Sequence, residues 1–226
     1  MNFLEAKPPI RLVIFDLDGT LVDSAADLRL SVNATMHHMG RRPLDEETIC
    51  SYVGKGAPLL IRRALGEGTS EEEAARGLRF FLRYYWDHKL DNTTLYPGTR
   101  KTLEWLANGS GPRRRVLGVL TNKPVIVSRD MLEDLELMHL FRFVYGGDSF
   151  TNKKPHPEGI ESILADTGIP ASEALIVGDS DVDIAAGSNA GIWTCGVTYG
   201  FGDLRLKENP PDLVVHKLPE LAEALR

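Results

Sequence analysis

The sequence predicts an α/β fold, a doubly wound parallel sheet with a helical domain inserted after the first strand. Short apolar runs bounded by turn residues recur along the chain, and most are β-branched and continuous rather than alternating. That pattern is typical of strands buried on both faces of a parallel sheet. Helical patterns separate the later runs, and such alternation of strands and helices indicates a doubly wound sheet. One long stretch after the first strand contains helical patterning only.

Six runs are predicted strands, and four segments between them are predicted helices. The strands are Ile10–Phe15, Val116–Leu120, Phe143–Gly146, Ala174–Val177, Ile192–Val197 and Asp212–Val215. The helices are Pro97–Asn108, Val125–Glu136, Pro157–Thr167 and Asp181–Ala190. Several of these helices begin with proline or an acidic residue and end near glycine, which are the preferences of helix termini.

The segment from Asp23 to Lys89 breaks this alternation and contains four helical patterns: Ala25–Met39, Asp45–Ser51, Pro58–Leu65 and Glu71–His88. It is too long for a simple crossover helix. We therefore predict a discontinuous α/β core, residues 1–22 and 90–226, and a small helical cap domain formed by residues 23–89.

The bulk composition narrows the function classes. The chain has 226 residues, 26 of them Lys or Arg and 32 Asp or Glu, and its formal net charge is −6. This balance argues against nucleic acid as a partner, because phosphate backbones select basic surfaces. No stretch approaches the roughly 18–20 apolar residues of a membrane span, so no membrane partner is expected. No signal-like segment stands at the start of the chain, and we expect a cytoplasmic location. The oligomeric state stays open.

The first predicted strand runs directly into Asp16 and, two residues later, Asp18. Residues i and i+2 of an extended chain point the same way, so both carboxylates can address one site. Two adjacent carboxylates repel each other and normally require a cation or a proton. Ligand sites of open α/β sheets lie beyond the carboxyl ends of the strands, where these two residues fall. An acidic turn that caps the next helix is the alternative interpretation.

Residues that could contact a phosphate group also occur at two later places in the sequence. Thr121 and Asn122 end the strand Val116–Leu120 just before a helix, where they can donate to phosphate oxygens or simply cap that helix. Lys153 and Lys154 lie in a loop that continues with Pro155. A cation held there can bind a phosphate and offset the carboxylates, although paired loop lysines are usually solvated.

The strand Ala174–Val177 ends in a second acidic group, with Asp179 at its tip and Asp183 four residues on. Residues at this spacing share one face of a helical turn. Acidic residues at a helix N-terminus are also favourable for purely structural reasons. However, the group repeats the pattern of the first strand, with carboxylates and glycine at a strand's carboxyl end. Four such features in order predict one shared anionic and metal-binding site.

Together these motifs resemble the haloacid dehalogenase-like hydrolase superfamily, whose fold is Rossmann-like. The segments that carry the resemblance read DLDGTLVDS, LTNK, KKPHP and GDSDVD in this chain. The resemblance implies that Asp16 is the nucleophile and that Asp18 is the general acid and base. It also implies that Thr121 binds the transferring phosphoryl group and that Lys154 stabilises this group and Asp16. Lys154 is preferred over Lys153 because the lysine of the family directly precedes proline.

The resemblance further implies a Mg²⁺ cofactor. Asp16 and Asp179 would supply carboxylate oxygens, Asp18 its backbone carbonyl, and Asp183 would support the site. The expected activity is that of a phosphomonoesterase with an aspartyl-phosphate intermediate, acting on a small-molecule phosphate. Dehalogenases resemble the chain less, because they lack the second aspartate of the first motif.

Within the insertion, the segment SYVGKGA resembles phosphoglycolate phosphatases. Lys55 and Gly54 are therefore substrate-binding candidates beside Thr121, Asn122 and Lys154, with 2-phosphoglycolate as the leading substrate. An exposed lysine in a glycine-rich turn is the plain alternative. A β-phosphoglucomutase-like isomerase, a pyrophosphatase and a broad sugar-phosphate phosphatase stay open. A non-enzymatic phospho-receiver module is disfavoured, because such modules carry no helical insertion.

Overall fold

The computed structural model describes residues 9–109, 114–204 and 207–226. Residues 1–8 of the predicted core lie outside this described part. Six parallel strands form the main sheet: β1 (Leu12–Phe15), β4 (Val116–Leu120), β5 (Phe143–Tyr145), β6 (Ala174–Gly178), β7 (Trp193–Val197) and β8 (Leu213–Val215). Their spatial order is β5-β4-β1-β6-β7-β8. The predicted doubly wound parallel α/β fold is confirmed.

β1 lies at the centre of the sheet, and the strand order diverges on either side of it. Residues 12–15 pair with 116–119 of β4 on one side and with 174–177 of β6 on the other. All four residues of β1 are fully buried. Because ligand sites of such sheets lie beyond the carboxyl ends at this divergence, the residues that follow β1, β4 and β6 occupy the expected position of a site.

Helices cover both faces of the sheet. The core helices are α5 (Thr99–Ala107), α6 (Val125–Asp134), α7 (Glu158–Thr167), α8 (Asp181–Asn189) and α9 (Pro219–Ala224). Val13 and Phe15 belong to the apolar cluster that includes α5, α6 and α9, whereas Leu12 and Ile14 belong to the cluster that includes α7 and α8. The alternation of side chains along β1 therefore divides the core into two layers.

Four helices lie between β1 and α5 in the sequence: α1 (Ala25–His38), α2 (Glu46–Tyr52), α3 (Ala57–Leu65) and α4 (Glu71–His88). We call this segment, residues 25–88, the helical unit. A reciprocal pair of hydrogen bonds between Ser70 and Glu73 caps the start of α4. α4 packs against both α1 and α3. Among the described residues, no helix combines the length and the apolar character needed to span a bilayer.

Two short strands that the sequence did not indicate connect the helical unit with the sheet. β2 (Val22–Asp23) precedes the unit and β3 (Thr94–Leu95) follows it, and the two pair antiparallel. The predicted insertion starts at Asp23, and this residue lies within β2. The pattern was missed because two residues are too few for any period to show. The boundaries of the cap domain, residues 23 and 89, stay a prediction.

Candidate active site at the carboxyl edge of the sheet

Asp16 follows β1 directly, and its backbone N–H continues the sheet by donating to Val177 (2.9 Å). The residue is 8% exposed, and its carboxylate accepts a hydrogen bond from Lys154 Nζ (2.9 Å). Burial raises the pKa of Asp16 to about 6, and the neighbouring Asp183 adds to this effect while Lys154 opposes it. Asp16 is thus a carboxylate held in a poorly solvated pocket beside a fixed cation.

Asp16, Asp179 and Asp183 form a buried acidic cluster in which one carboxylate oxygen of each lies within 4.8 Å of the others. Asp179 follows β6, and Asp183 lies in the first turn of α8. Burial raises the pKa of Asp179 well above its ordinary value, and repulsion from Asp183 and Asp16 raises it further. Buried carboxylates that face one another are the donor set that a hard divalent cation prefers.

Hydrogen bonds fix the orientation of the two later aspartates. Asp179 Oδ2 accepts from the backbone N–H groups of Phe201 (3.1 Å) and Gly202 (2.8 Å). Asp183 Oδ2 accepts from the hydroxyl (2.6 Å) and the backbone N–H (3.2 Å) of Ser180. The carboxylates are therefore aimed by the loops that follow β6 and β7, not by the strand ends alone.

Glycine lets the first loop approach this cluster closely. Gly19 has φ +80°, and a Cβ added there would lie 1.9 Å from Asp179 Oδ2. A side chain at this position is thus excluded both by the backbone conformation and by the carboxylate. The glycine of the first motif has a role beyond turning the chain, because it also gives Asp179 room beside Asp16.

The structure separates the two adjacent lysines. Lys154 is buried, and its ammonium group donates to Asp16 Oδ1 and to Asp183 Oδ1 (2.5 Å). Although burial disfavours the charged form, Asp16 and Asp183 raise the pKa of Lys154 above its ordinary value. Lys153 is exposed. Lys154, the residue preferred from the sequence, is the one that lies at the acidic cluster.

Asp18 lies outside the acidic cluster and has a cation of its own. Lys123 Nζ donates to both carboxylate oxygens of Asp18 (3.0 and 2.9 Å), and Ser24 Oγ donates to Oδ1 (2.6 Å). The same ammonium group donates to the hydroxyl of Tyr85 on α4 (2.7 Å). Sequence reasoning did not single out Lys123 or Tyr85. The only signal was the position of Lys123 next to Asn122, since nothing in the sequence pairs residue 123 with residue 18.

Thr121 and Asn122 follow β4 and are both buried. Thr121 Oγ1 accepts from the backbone N–H of Lys123 (3.3 Å). The side-chain amide of Asn122 donates to the carbonyl oxygens of Gly54 (2.8 Å) and Lys154 (3.0 Å). Asn122 thereby connects the loop before α3 with the two core loops that follow β4 and β5.

A cavity of about 520 Å³ connects these groups, a size within the usual range of small-molecule sites. Asp16, Asp18, Thr121 and Asp179 line it from the sheet edge. Gly54, Lys55 and Arg63 line it from the helical unit. Every site residue predicted from the sequence is therefore in contact with this cavity or with the acidic cluster beneath it.

Comparison with known proteins agrees with this arrangement. The sequence profile described as haloacid dehalogenase-like hydrolase matches residues 13–197. The chain is 38% identical to a phosphoglycolate phosphatase of Pseudomonas savastanoi pv. phaseolicola, over 93% of this chain and 78% of that protein. It is 36% identical to a phosphoglycolate phosphatase of Neisseria gonorrhoeae, over 96% of this chain and 94% of that protein.

Solved structures give the same result for the fold. The crystal structure of a predicted phosphoglycolate phosphatase from Haemophilus somnus superposes with a TM-score of 0.90 at 31% identity, covering 96% of this chain and 99% of that one. A haloacid dehalogenase superfamily hydrolase of subfamily IA from Geobacter sulfurreducens superposes with a TM-score of 0.72 at 26% identity, over 97% and 98% of the two chains.

The chain belongs to the haloacid dehalogenase-like hydrolase family. Within that family it is a phosphatase, similar over nearly its whole length to phosphoglycolate phosphatases.

Proposed function

We propose that the protein is a Mg²⁺-dependent phosphomonoesterase that forms an aspartyl-phosphate on Asp16 and that its substrate is 2-phosphoglycolate. The observation that carries the proposal is the buried cluster of Asp16, Asp179 and Asp183 beside the ammonium group of Lys154. Such an arrangement is costly for the folded protein unless a cation offsets the repulsion, so it favours a catalytic role over a structural one.

The three carboxylates fit a magnesium ion, and the backbone carbonyl of Asp18 completes the proposed set of ligands. When bound, Mg²⁺ offsets the repulsion between a phosphate dianion and the attacking carboxylate. Lys154 contacts one carboxylate oxygen of Asp16 and one of Asp183, and it stays charged. Thr121 and Asn122, at the end of β4, are the proposed neighbours of the transferring phosphoryl group.

Two half-reactions follow from this arrangement. In the first, a carboxylate oxygen of Asp16 bonds to phosphorus as the ester phosphorus–oxygen bond breaks, and protonated Asp18 gives its proton to the leaving alkoxide oxygen. In the second, Asp18 accepts a proton from water as the water oxygen bonds to phosphorus and the bond from phosphorus to Asp16 breaks. The products are an alcohol and inorganic phosphate, and both aspartates return to their starting states.

The substrate assignment rests on the far wall of the cavity. Lys55, beside Gly54 at the start of α3, is exposed and lines the cavity. A cation there suits a substrate that carries a carboxylate at a short distance from its phosphate, as 2-phosphoglycolate does. The relatives named phosphoglycolate phosphatase support the same choice. We also propose that residues 23–89 act as a cap that excludes bulk solvent during the reaction.

The test is a phosphate-release assay with added magnesium, comparing 2-phosphoglycolate with hexose phosphates, nucleotides and pyrophosphate. We expect a clear preference for 2-phosphoglycolate, silencing by a chelator and recovery with Mg²⁺. Full activity in excess chelator would contradict the metal assignment. A flat profile, or a preference for sugar phosphates or pyrophosphate, would overturn the substrate, and isomerisation of a sugar phosphate without phosphate release would indicate a mutase.

A further inference from the structure

The ammonium group of Lys123 connects the core of the protein with the helical unit. Lys123 lies in the loop after β4 and is 8% exposed, while Tyr85 lies on α4 and is 2% exposed. Lys123 Nζ donates to the Tyr85 hydroxyl (2.7 Å), and it lies 4.3 Å from the centre of the same ring. Asp18 receives the remaining hydrogen bonds of this ammonium group.

These contacts leave the ammonium group little freedom. A lysine has three N–H donors, and here the partners are the two oxygens of Asp18 and the hydroxyl of Tyr85. Ser24, at the start of α1, also donates to Oδ1 of Asp18. The orientation of the Asp18 carboxylate is thus set by Ser24 and by Lys123, and the position of Lys123 depends in turn on a residue of α4.

We infer that Lys123 is a positioning residue for Asp18 and that Tyr85 makes this positioning depend on how α4 packs on the sheet edge. The inference rests on the proposed function, in which the Asp18 carboxylate takes a proton from water during hydrolysis of the aspartyl-phosphate. The two hydrogen bonds from Lys123 hold the Asp18 carboxylate in one orientation, and this second half-reaction needs the carboxylate to be aimed at the attacking water. If α4 moved away from the sheet edge, the ammonium group would lose its third partner, and Lys123 would hold the Asp18 carboxylate less firmly.

The two half-reactions can be separated with p-nitrophenyl phosphate. Its leaving group needs little help from an acid, so formation of the aspartyl-phosphate depends weakly on Asp18 whereas its hydrolysis depends on Asp18 strongly. The variants are Tyr85→Phe, which keeps the ring but removes the hydroxyl, and Lys123→Gln, which keeps a hydrogen-bonding group but removes the charge. Rapid mixing records the release of p-nitrophenol in the first turnover and in the steady state.

We expect both variants to release the first equivalent of p-nitrophenol nearly as fast as the unmodified enzyme and then to turn over slowly. The steady-state rate should fall about tenfold for Tyr85→Phe, the factor for one lost hydrogen bond, and further for Lys123→Gln. The matched controls are Tyr84→Phe, a neighbouring tyrosine whose ring stacks on Phe80, and Lys101→Gln, an exposed lysine of α5. Both controls should behave like the unmodified enzyme.

An equal loss in both phases, with no initial burst, would overturn the inference and leave the proposed function standing. Unchanged kinetics in Tyr85→Phe would overturn the part assigned to α4. If the unmodified enzyme released no phosphate from any ester, the proposed function would fail first and the inference with it. Thermal unfolding of each variant checks the fold, and Tyr85→Phe decides the question if Lys123→Gln does not fold.

Discussion

Asp27 and Asp179 are both buried aspartates, but their surroundings have opposite effects on their charge. Asp27 lies in the first turn of α1 and is 1% exposed. It accepts hydrogen bonds from the backbone N–H groups of Asn92 and Thr93 and from both of their side chains, at 2.7–3.1 Å. Burial alone would raise the pKa of Asp27, but these hydrogen bonds outweigh it and lower the pKa.

Asp179 is 4% exposed and has two backbone donors, but two other carboxylates face it. Its pKa is raised because burial and the negative charges of Asp183 and Asp16 act in the same direction. This difference distinguishes a buried carboxylate that stabilises the fold from carboxylates that serve a reaction. A buried carboxylate with enough donors, such as Asp27, stabilises the fold by fastening α1 to the segment before β3, whereas carboxylates that repel one another are arranged for a cation.

The largest effect should come from the acidic cluster. Asp16→Asn should abolish phosphate release, a loss of about 10⁴-fold or more, because it removes the proposed nucleophile. Its fold should be intact, since one of the mutually repelling carboxylates is removed. A phosphate-release assay measures the loss of activity, and thermal unfolding checks that the fold is intact. Measurable turnover in a preparation free of unmodified enzyme would refute the assignment of Asp16 as the nucleophile.

A smaller effect should appear in the free energy of unfolding, and it should differ between Asp27 and Asp179. Asp27→Asn should lower the free energy of unfolding by about 2–3 kcal/mol, because the new amide group faces buried donors. Asp179→Asn, compared in the presence of a chelator, should cost little or stabilise the protein, because it relieves repulsion. Urea unfolding of both variants measures the difference. A larger loss for Asp179→Asn than for Asp27→Asn would reverse our interpretation of the two sites.

The smallest effect concerns pH. The pKa of Asp27 is depressed in the folded state, so its contribution to stability is present above the pKa of the unfolded chain and declines as the pH falls through the folded value. The pKa of Asp16 is raised from 3.8 to about 6 in the folded protein, so in chelator its titration lowers the stability as the pH rises from about 4 to 6. Asp16→Asn should reduce the slope of the stability in that interval, where Asp179 contributes with the same sign, and Asp27→Asn should reduce the slope of the acidic limb below it. Unfolding free energies measured across pH 3–7 test both signs, and unchanged slopes would contradict them.

Much of the fold could be predicted because its signals are local. β4 has the bounds that the apolar run predicts, and α1 to α4 begin and end within one residue of their predicted limits. These elements are long, or buried on a regular face, and caps such as the pair of Ser70 and Glu73 mark their ends. The ribbon of β2 and β3 was not predictable, because two-residue strands have no period and their partner lies some seventy residues away along the chain.

By itself, the sequence determined the class of protein and the acidic residues of its site, because the motifs that carry them are short and each directly follows a strand. The tertiary structure alone decided which cation serves which carboxylate. Lys154 contacts Asp16 across 138 positions of sequence, and Lys123 contacts Asp18 across 105. Such pairings depend on the strand order, which brings the ends of β1, β4 and β6 to one edge, and on the packing of α4, which carries Tyr85 to the same place. Neither is encoded in any local pattern, because both follow from how distant segments share a single buried core.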